Sequence, residues 1–346
     1  MTCPPHPQDR AHDGPGVCHG GDLAAARRLF PNAPEPWIDL STGINPEPYP
    51  IPHLPPEIFA RLPDADRLAS LERIAARRYR VPPAMEIVAA PGTQALIQIL
   101  PRLHQAKSVG ILGFTYNEYQ RVWREGGVEP RIVENLDALS ACDIAIIVNP
   151  NNPDGRLVAT EDLATLARHL ARKGGLLVVD EAFMDLLPAS QSLVPMLPEA
   201  GALVLRSFGK TYGLPGLRLG FAIAGELIAA RLRAMLGPWA VAGPAIEIAR
   251  AALADDAWLA ALPERLAHQA AIVESCLSRC GAQKIGATPL FQLFAHPQAE
   301  KLFRQFGREG VLLRRFPERP DWLRAGCIAD ASAERLQAIA ERIGKA

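Results

Sequence analysis

The sequence predicts an α/β fold in which a mostly parallel sheet is flanked by helices, with a smaller α+β region following it. Between residues 80 and 225, short apolar segments of strand length alternate with helical segments, which is typical of strands joined by crossover helices. The chain has 346 residues, more than a single hydrophobic core usually organises. We expect an N-terminal arm (1–35), a large domain (36–240) and a small C-terminal domain (241–346).

The individual helices and strands are predicted from the periodicity of apolar residues and from residues that begin or end helices. The arm is predicted to hold one short helix at 22–29, with Asp22 as its N-cap. Prolines exclude a continuous helix over 46–56, and an amphipathic helix at 68–79 ends before the next proline pair. The strands and helices predicted for the large domain are strands 87–90, 108–112, 129–133, 144–148, 176–179, 203–207 and 219–224, and helices 93–103, 116–125, 160–173 and 226–235. The C-terminal region is predicted to have helices within 244–280 and strands at 290–295, 311–313 and 327–329.

Composition favours a small-molecule partner. Lys plus Arg (37) equals Asp plus Glu (37), so the chain lacks the positive field that binds nucleic acid or an anionic membrane. The first ten residues contain no apolar segment typical of a secretory signal, and no apolar run reaches the roughly 20 residues of a membrane helix. A cytoplasmic protein is expected. The six cysteines form no CxxC pair, so neither a disulfide framework nor a metal site is predicted.

In a sheet of this kind, ligands bind beyond the carboxyl ends of the strands. Gly92, Thr93 and Gln94 follow a predicted strand and open a helix, where backbone N–H groups can bind a phosphate. Taken alone, a glycine turn is the simpler interpretation. Asp180 ends an apolar strand, and a carboxylate there needs a cationic partner such as a protonated pyridine nitrogen. A loop cap is the alternative.

Two other predicted strands are followed by residues that can bind a cofactor, a lysine in one case and asparagines in the other. Lys210 is surrounded by small residues, and Arg218 follows eight positions later. A desolvated lysine there can act as a nucleophile, and the arginine can bind a phosphate through two hydrogen bonds. The alternative is a surface lysine in a flexible loop. Residues 149–155 have a turn composition, yet they follow a central strand, from which an Asn side chain can donate to a cofactor oxygen.

Together these segments resemble the fold-type-I pyridoxal 5'-phosphate enzymes of the aminotransferase superfamily, in the branch that includes histidinol-phosphate aminotransferase. The resemblance covers nearly the whole chain. It lies in the motifs N-P-x-N-P-[ST]-G at 149–155, D-E-A-[YF] at 180–183 and S-x-x-K-x-x-x-x-x-G-x-R at 207–218. It implies the type I fold and pyridoxal 5'-phosphate as the cofactor, held as a Schiff base on Lys210.

The resemblance also implies the other cofactor contacts. Asp180 is expected at the pyridine nitrogen, Asn152 at the ring oxygen, and Tyr116 stacked on the ring. The cofactor phosphate is expected to be bound by Gly92, Thr93, Gln94, Ser207 and Arg218.

Three positions depart from the motifs. Asp154 replaces the hydroxyl residue of the turn, and Gly209 replaces the small hydroxyl residue often found before the lysine. Phe183, expected beside the cofactor, stands where transaminases of this branch usually have a tyrosine. Because the tyrosine hydroxyl reaches the cofactor oxygen, its loss speaks against simple transamination.

Three segments within the branch are most similar to the threonine-phosphate decarboxylases of cobalamin biosynthesis. They are H-G-G-D at 19–22, D-L-S-T-G-I-N-P at 39–46 and D-E-A-F-M-D at 180–185. This resemblance implies a homodimer that decarboxylates L-threonine O-3-phosphate to (R)-1-amino-2-propanol O-2-phosphate. The first alternative is an aminotransferase acting on histidinol phosphate or a related amino acid. An effector-binding relative of transcription regulators would need a basic helix-turn-helix segment, which the sequence does not show. A third alternative is a scaffold that has lost the cofactor.

The same resemblance implies how this phosphorylated amino acid is bound. Arg324 is expected to bind the substrate α-carboxylate, with Asn45 near it. His19, together with Arg314 or Arg315, is expected at the substrate phosphate. Each of these residues has a simpler interpretation, as a surface ion pair, a solvated strand end or part of a loose arm.

Overall fold

The computed structural model describes residues 20–345. Within this range the strands are β1 (Ile38–Asp39), β2 (Glu86–Ala90), β3 (Val109–Leu112), β4 (Arg131–Val133), β5 (Ile144–Val148), β6 (Leu176–Asp180), β7 (Ala202–Ser207), β8 (Gly220–Ala224), β9 (Gln283–Thr288), β10 (Phe291–Ala295), β11 (Val311–Leu312), β12 (Arg314–Phe316) and β13 (Arg319–Gly326). The helices described are α1 (Leu23–Leu29), α2 (Glu57–Ala60), α3 (Ala65–Tyr79), α4 (Thr93–Leu103), α5 (Glu118–Glu125), α6 (Leu136–Ser140), α7 (Thr160–Arg172), α8 (Phe208–Thr211), α9 (Glu226–Leu236), α10 (Gly243–Ala254), α11 (Asp256–Arg279), α12 (Ala299–Arg308) and α13 (Ala333–Gly344).

The chain forms two compact units. The large unit comprises residues 44–268 and 286–290, and the small unit comprises, among the described residues, 20–43, 269–285 and 291–345. The first described residues therefore belong to the same unit as the C-terminal strands, whereas the sequence suggested a separate arm. The predicted domain ranges, drawn where the sequence pattern changes, remain a prediction.

The sheet of the large unit has seven strands in the order β2-β8-β7-β6-β5-β3-β4. Its strands are parallel except β8, which runs antiparallel to both β2 and β7. Along β5, Ile144 and Ile146 belong to one buried cluster, while Ala145 and Ile147 belong to another. Both faces of the sheet are therefore covered, which explains why its strands are apolar throughout. The predicted α/β fold with a mostly parallel sheet is confirmed.

A second sheet has the order β12-β13-β10-β9, with β13 antiparallel to both β12 and β10. The predicted strand at 327–329 is wrong, because β13 ends at Gly326. The sequence pattern also missed β9, β12 and the whole of β13. Strand β13 begins with Arg319, Pro320 and Asp321, so cross-strand pairing outweighs the low strand propensity of this segment.

The short helix predicted at 22–29 is present in the small unit as α1. Asp22 caps α1 by accepting a hydrogen bond from the Ala25 N–H at 2.8 Å, as the sequence predicted. Strand β1 pairs in parallel with β11, with Ile38 opposite Val311. In residues 20–345 we find no helix with both the length and the apolar character needed to cross a membrane.

Candidate active site

Three segments meet at Gly220, the first residue of β8. Gly220 is the register partner of Ala90 in β2 and of Ser207 in β7. A Cβ placed on Gly220 would lie 2.7 Å from the backbone nitrogen of Thr93, so the start of α4 lies directly against β8. The sheet register thus brings Thr93, Ser207 and the end of the loop that carries Arg218 to one edge.

The start of α4 has the features of an anion site. Gly92 precedes the helix with a φ of 83°, and no side chain caps the helix. A Cβ on Gly92 would lie 2.7 Å from Nη2 of Arg218, so the guanidinium group lies beside the first turn. Arg218 also donates to the Pro215 carbonyl at 3.1 Å, which orients its side chain. The N–H groups in the first turn of a helix have no partner within the helix, and beside a guanidinium group they favour the binding of a phosphate.

Asp180 is a buried carboxylate at the end of β6, 4% exposed. It accepts hydrogen bonds from the Tyr119 hydroxyl at 2.8 Å and from the Ala182 N–H at 3.0 Å. Burial raises the pKa of Asp180, while these two donors and the positive charge of Lys210 oppose the rise. A cationic ring nitrogen would oppose it further.

Lys210 lies in α8, a single turn that begins directly after β7. Its Nζ lies 5.6 Å from the centre of the Phe183 ring, a buried side chain. The Asn45 backbone N–H donates to the Lys210 carbonyl at 2.9 Å, and the Asn45 side-chain amide donates to the Thr211 carbonyl at 3.0 Å. The buried Asn45 thus holds the backbone that carries the lysine. Its expected contact with substrate remains a prediction.

The structure accounts for the glycine before the lysine. A Cβ on Gly209 would lie 2.8 Å from the Cα of Pro215, so the returning loop packs directly on this position. On the other side, Tyr212 is stacked between Phe208, with ring centres 4.4 Å apart, and Trp258, with ring centres 5.5 Å apart. The short helix is therefore held between a loop backbone and an aromatic stack.

The turn at 149–155 is joined to the end of β6. The Asn149 N–H donates to the Asp180 carbonyl at 2.8 Å. Asp154 accepts from the Asn151 side chain at 2.8 Å and from the Arg156 N–H at 3.0 Å, so it performs the turn-capping role expected of a hydroxyl residue. Asn152 lies in this turn, beyond the end of β5.

Sequence reasoning missed residues that support the predicted ones. Tyr119, the partner of Asp180, and Glu118, which accepts from Gln94 Nε2 at 2.6 Å, both belong to α5. Tyr116 donates to Gln94 Oε1 at 3.2 Å. The spacing of Tyr116 and Tyr119 on one face of a helical segment was the available signal, but the sequence does not show which strand end that face meets.

A buried ion network lies behind Asp180. Arg206 of β7 pairs with Glu181 at 2.7 Å and with Asp185, and its guanidinium carbon lies 4.4 Å from the centre of the Tyr79 ring. Glu181 also accepts from the Ser192 hydroxyl and the Leu193 N–H. Burial raises the pKa of Glu181, and Arg206 opposes this. The network fixes the segment that follows Asp180.

The small unit places two predicted arginines together. Arg314 and Arg324 are register partners across β12 and β13. Burial and the charge of Arg314 lower the pKa of Arg324 to about 9, and Asp39 opposes this. Arg315 forms an ion pair with Glu300, and its guanidinium carbon lies 4.2 Å from the centre of the Phe303 ring. The sequence did not distinguish between Arg314 and Arg315 as the residue expected to act with His19. In the structure, Arg314 is the one that neighbours Arg324.

His19 lies outside the described residues. Within the described range, no cluster of three or more His, Cys, Asp or Glu side chains is placed to hold a metal ion. Cys276 and Cys280 are thiols, the first buried and the second partly buried.

Comparisons with known proteins agree with this geometry. Residues 44–343 match the model of the family described as aminotransferase class I and II. The chain is 40% identical to a threonine-phosphate decarboxylase of Sinorhizobium sp over 94% of this chain and 97% of the relative. It is 39% identical to a threonine-phosphate decarboxylase of Pseudomonas aeruginosa, over 91% and 94%. A crystal structure of histidinol-phosphate aminotransferase from Sinorhizobium meliloti in complex with pyridoxal-5'-phosphate has a TM-score of 0.78 at 19% identity, covering 98% of this chain and 96% of that one.

Proposed function

The chain belongs to the aminotransferase class I and II family, and from that membership we propose that it is a pyridoxal 5'-phosphate-dependent decarboxylase. We assign it the conversion of L-threonine O-3-phosphate to (R)-1-amino-2-propanol O-2-phosphate. The observation that carries the reaction is the similarity to two threonine-phosphate decarboxylases over almost their full lengths.

The residues of the large unit fit the proposed cofactor. The uncapped start of α4 with Arg218 beside it suits a phosphate group, and the buried Asp180 suits a protonated ring nitrogen. We assign the phosphate to Gly92, Thr93, Gln94, Ser207 and Arg218. We assign the covalent link to Lys210, the ring nitrogen to Asp180, the ring oxygen to Asn152, the ring face to Tyr116, and a contact beside the ring to Phe183.

When bound, pyridoxal phosphate supplies a conjugated ring that accepts the electron pair left behind as carbon dioxide departs. Asp180, held by Tyr119 and Ala182, keeps a negative charge where that ring needs its proton. Lys210, whose backbone is fixed by Asn45, is the amine that we assign to carry the replacing proton to Cα.

The substrate has a carboxylate and a phosphate, and the chain offers cations for each. We propose that Arg324 binds the carboxylate, with Asn45 near it, and that His19 and Arg314 bind the phosphate. Arg314 is preferred to Arg315, because Arg314 is the register partner of Arg324 across β12 and β13.

Phe183 supports decarboxylation over amino transfer. It has no hydroxyl to donate to the cofactor oxygen, and its ring, rather than a phenol, lies near the Lys210 ammonium. An aminotransferase acting on histidinol phosphate is the competing activity, and apart from Phe183 it would use the same cofactor contacts.

The experiment that tests the function measures carbon dioxide from L-threonine O-3-phosphate. The holoenzyme is expected to release one carbon dioxide per aminopropanol phosphate formed, and Lys210→Ala is expected to release none above background. Parallel reactions with histidinol phosphate and 2-oxoglutarate measure amino transfer. Glutamate formation without carbon dioxide would establish the aminotransferase instead.

We further propose that the enzyme acts as a cytoplasmic homodimer in cobalamin biosynthesis. This rests on the resemblance stated above. Light scattering coupled to size-exclusion chromatography tests the dimer, for which a mass near twice 37.4 kDa is expected.

A further inference from the structure

The turn at Gly20 and Gly21 packs directly on the backbone of Ser41 in the small unit. A Cβ on Gly20 would lie 2.4 Å from the Ser41 carbonyl oxygen and 3.0 Å from its carbon, so no side chain fits. The Gly21 N–H donates to the Ser41 hydroxyl at 2.7 Å, and its φ of 85° favours glycine. The two glycines are thus required for different reasons, one for space and one for backbone conformation.

The same Ser41 carbonyl holds Arg324. It accepts a hydrogen bond from Nη2 of Arg324 at 2.7 Å, in a buried environment. Ser41 is itself fixed, since its N–H and its hydroxyl donate to Asp39 Oδ1 at 2.8 and 2.6 Å. The preceding Leu40 carbonyl accepts from the Gly326 N–H at 2.7 Å. The carbonyl that orients the guanidinium group is therefore fixed by β13 on one side and by Asp39 on the other.

Arg324 is buried, with 7% of its surface exposed, so the orientation of its guanidinium group depends on its immediate neighbours. Its guanidinium carbon lies 5.0 Å from the centre of the Phe291 ring, and Arg314 is its neighbour on β12. Asp39 is the carboxylate that acts on it. A planar guanidinium group binds a carboxylate well only when its orientation is set, so a shift of the Ser41 carbonyl would change how Arg324 meets an anion.

We propose that Gly20 is a positioning residue for substrate carboxylate recognition: by leaving room for the Ser41 carbonyl, it sets the orientation of Arg324. This inference rests on the proposed function, in which Arg324 binds the α-carboxylate. In Gly20→Ala, the added Cβ and the Ser41 carbonyl oxygen must separate by about 1 Å to reach an ordinary contact distance. We expect part of that shift to fall on the carbonyl, and its hydrogen bond to Arg324 to lengthen beyond good geometry.

The test compares ligands with and without the carboxylate. For Gly20→Ala holoenzyme, we expect kcat/KM for L-threonine O-3-phosphate to fall about tenfold, the effect of losing one charge-assisted hydrogen bond. The inhibition constant of the product, which has the phosphate and no carboxylate, should change less than twofold. The dissociation constant of the cofactor, measured by absorbance titration, should also be unchanged. An equal loss for both ligands would overturn the proposal.

A double-mutant cycle separates positioning from general loosening. In an Arg324→Ala background, Gly20→Ala should have no further effect on kcat/KM, whereas additive losses would show that Gly20 does not act through Arg324. Asp22→Ala is the matched control, since it removes the α1 cap two residues away without touching Ser41. It should lower the thermal midpoint and leave kcat/KM within twofold. A tenfold loss in this control would count against the proposal.

Two further measurements keep the outcome interpretable. If Gly20→Ala does not fold, Ser41→Ala removes the two hydroxyl hydrogen bonds that help to hold the same residue and is expected to give the same carboxylate-selective loss. An unselective loss, or none, would contradict the inference. Turnover by the wild-type enzyme tests the function itself, so its absence would be distinguished from a failure of the Gly20 inference.

Discussion

Asp180 shows how the surroundings of a single buried residue stabilise its charge in the candidate site. Its carboxylate is buried, and the cost of that burial is offset by Tyr119, by the Ala182 N–H and by the charge of Lys210. The sequence indicated Asp180 because a charged residue ends an apolar strand. Tyr119 could not be predicted from the same pattern, since the hydrogen bond joins residues 61 positions apart.

Asp180→Asn is expected to change how apoprotein stability depends on pH. Because the pKa of Asp180 is raised in the folded state, its proton stabilises the fold below the ordinary carboxyl pKa. That stability is lost as the pH rises through the raised pKa. The unfolding free energy of the variant relative to wild type should therefore increase as the pH rises above the ordinary carboxyl pKa of about 4, as measured by urea unfolding of both apoproteins.

Asp143→Asn is the matched control for this experiment. Backbone N–H donors, first that of Lys107, lower the pKa of Asp143, so its contribution is present at neutral pH and lost on acidification. The variant should fall further below wild type as the pH rises, the opposite trend. Parallel trends in the two variants would refute the assignment of Asp180 as a carboxylate destabilised by burial.

At the scale of elements, α8 shows how a one-turn helix is held in place. The helix lies between the Pro215 backbone, which packs on Gly209, and the aromatic stack of Phe208, Tyr212 and Trp258. Asn45 adds two hydrogen bonds to its carbonyl groups. The contacts with Pro215, Trp258 and Asn45 come from outside the helix, so a four-residue segment can keep Lys210 in position although it would not be helical alone.

Gly209→Ala is expected to disturb this arrangement. The added Cβ would lie 2.8 Å from the Pro215 Cα, and overpacking against a backbone atom costs about 1–3 kcal/mol. We expect lower thermal stability and weaker cofactor binding. The control is Gly216→Ala in the same loop, where a Cβ would meet nothing within 4 Å. Calorimetry and cofactor titration should separate the two variants, and equal behaviour would contradict the packing argument.

The whole molecule combines a neutral surface with strongly localised charge. Its formal net charge is zero, yet Arg206, Glu181 and Asp185 form a buried network and Arg314 lies beside Arg324. Anion binding therefore depends on a few focused groups rather than on a field extending over the surface. The composition predicted this arrangement in general terms, and the structure identifies the groups.

The balance of charge leads to a prediction about the intact protein. With a pI of about 7.1, the molecules repel one another least near neutral pH. At low ionic strength, solubility should pass through a minimum near pH 7 and increase on either side, as followed by light scattering over a pH series. A monotonic change across this range would show that specific association, rather than net charge, controls solubility.

The sequence by itself predicted the main strands and helices of the large unit, and it indicated the strand ends at which we propose that the cofactor binds. These follow from local periodicity and from a rule about where parallel strands place their ligands. Only the tertiary structure shows that Tyr119 donates a hydrogen bond to Asp180. It also shows that Arg314 rather than Arg315 lies beside Arg324. The Ser41 carbonyl accepts a hydrogen bond from the guanidinium group of Arg324, 283 residues away. These contacts depend on which side chains the folded backbone brings within hydrogen-bond distance, and this cannot be predicted from the local sequence.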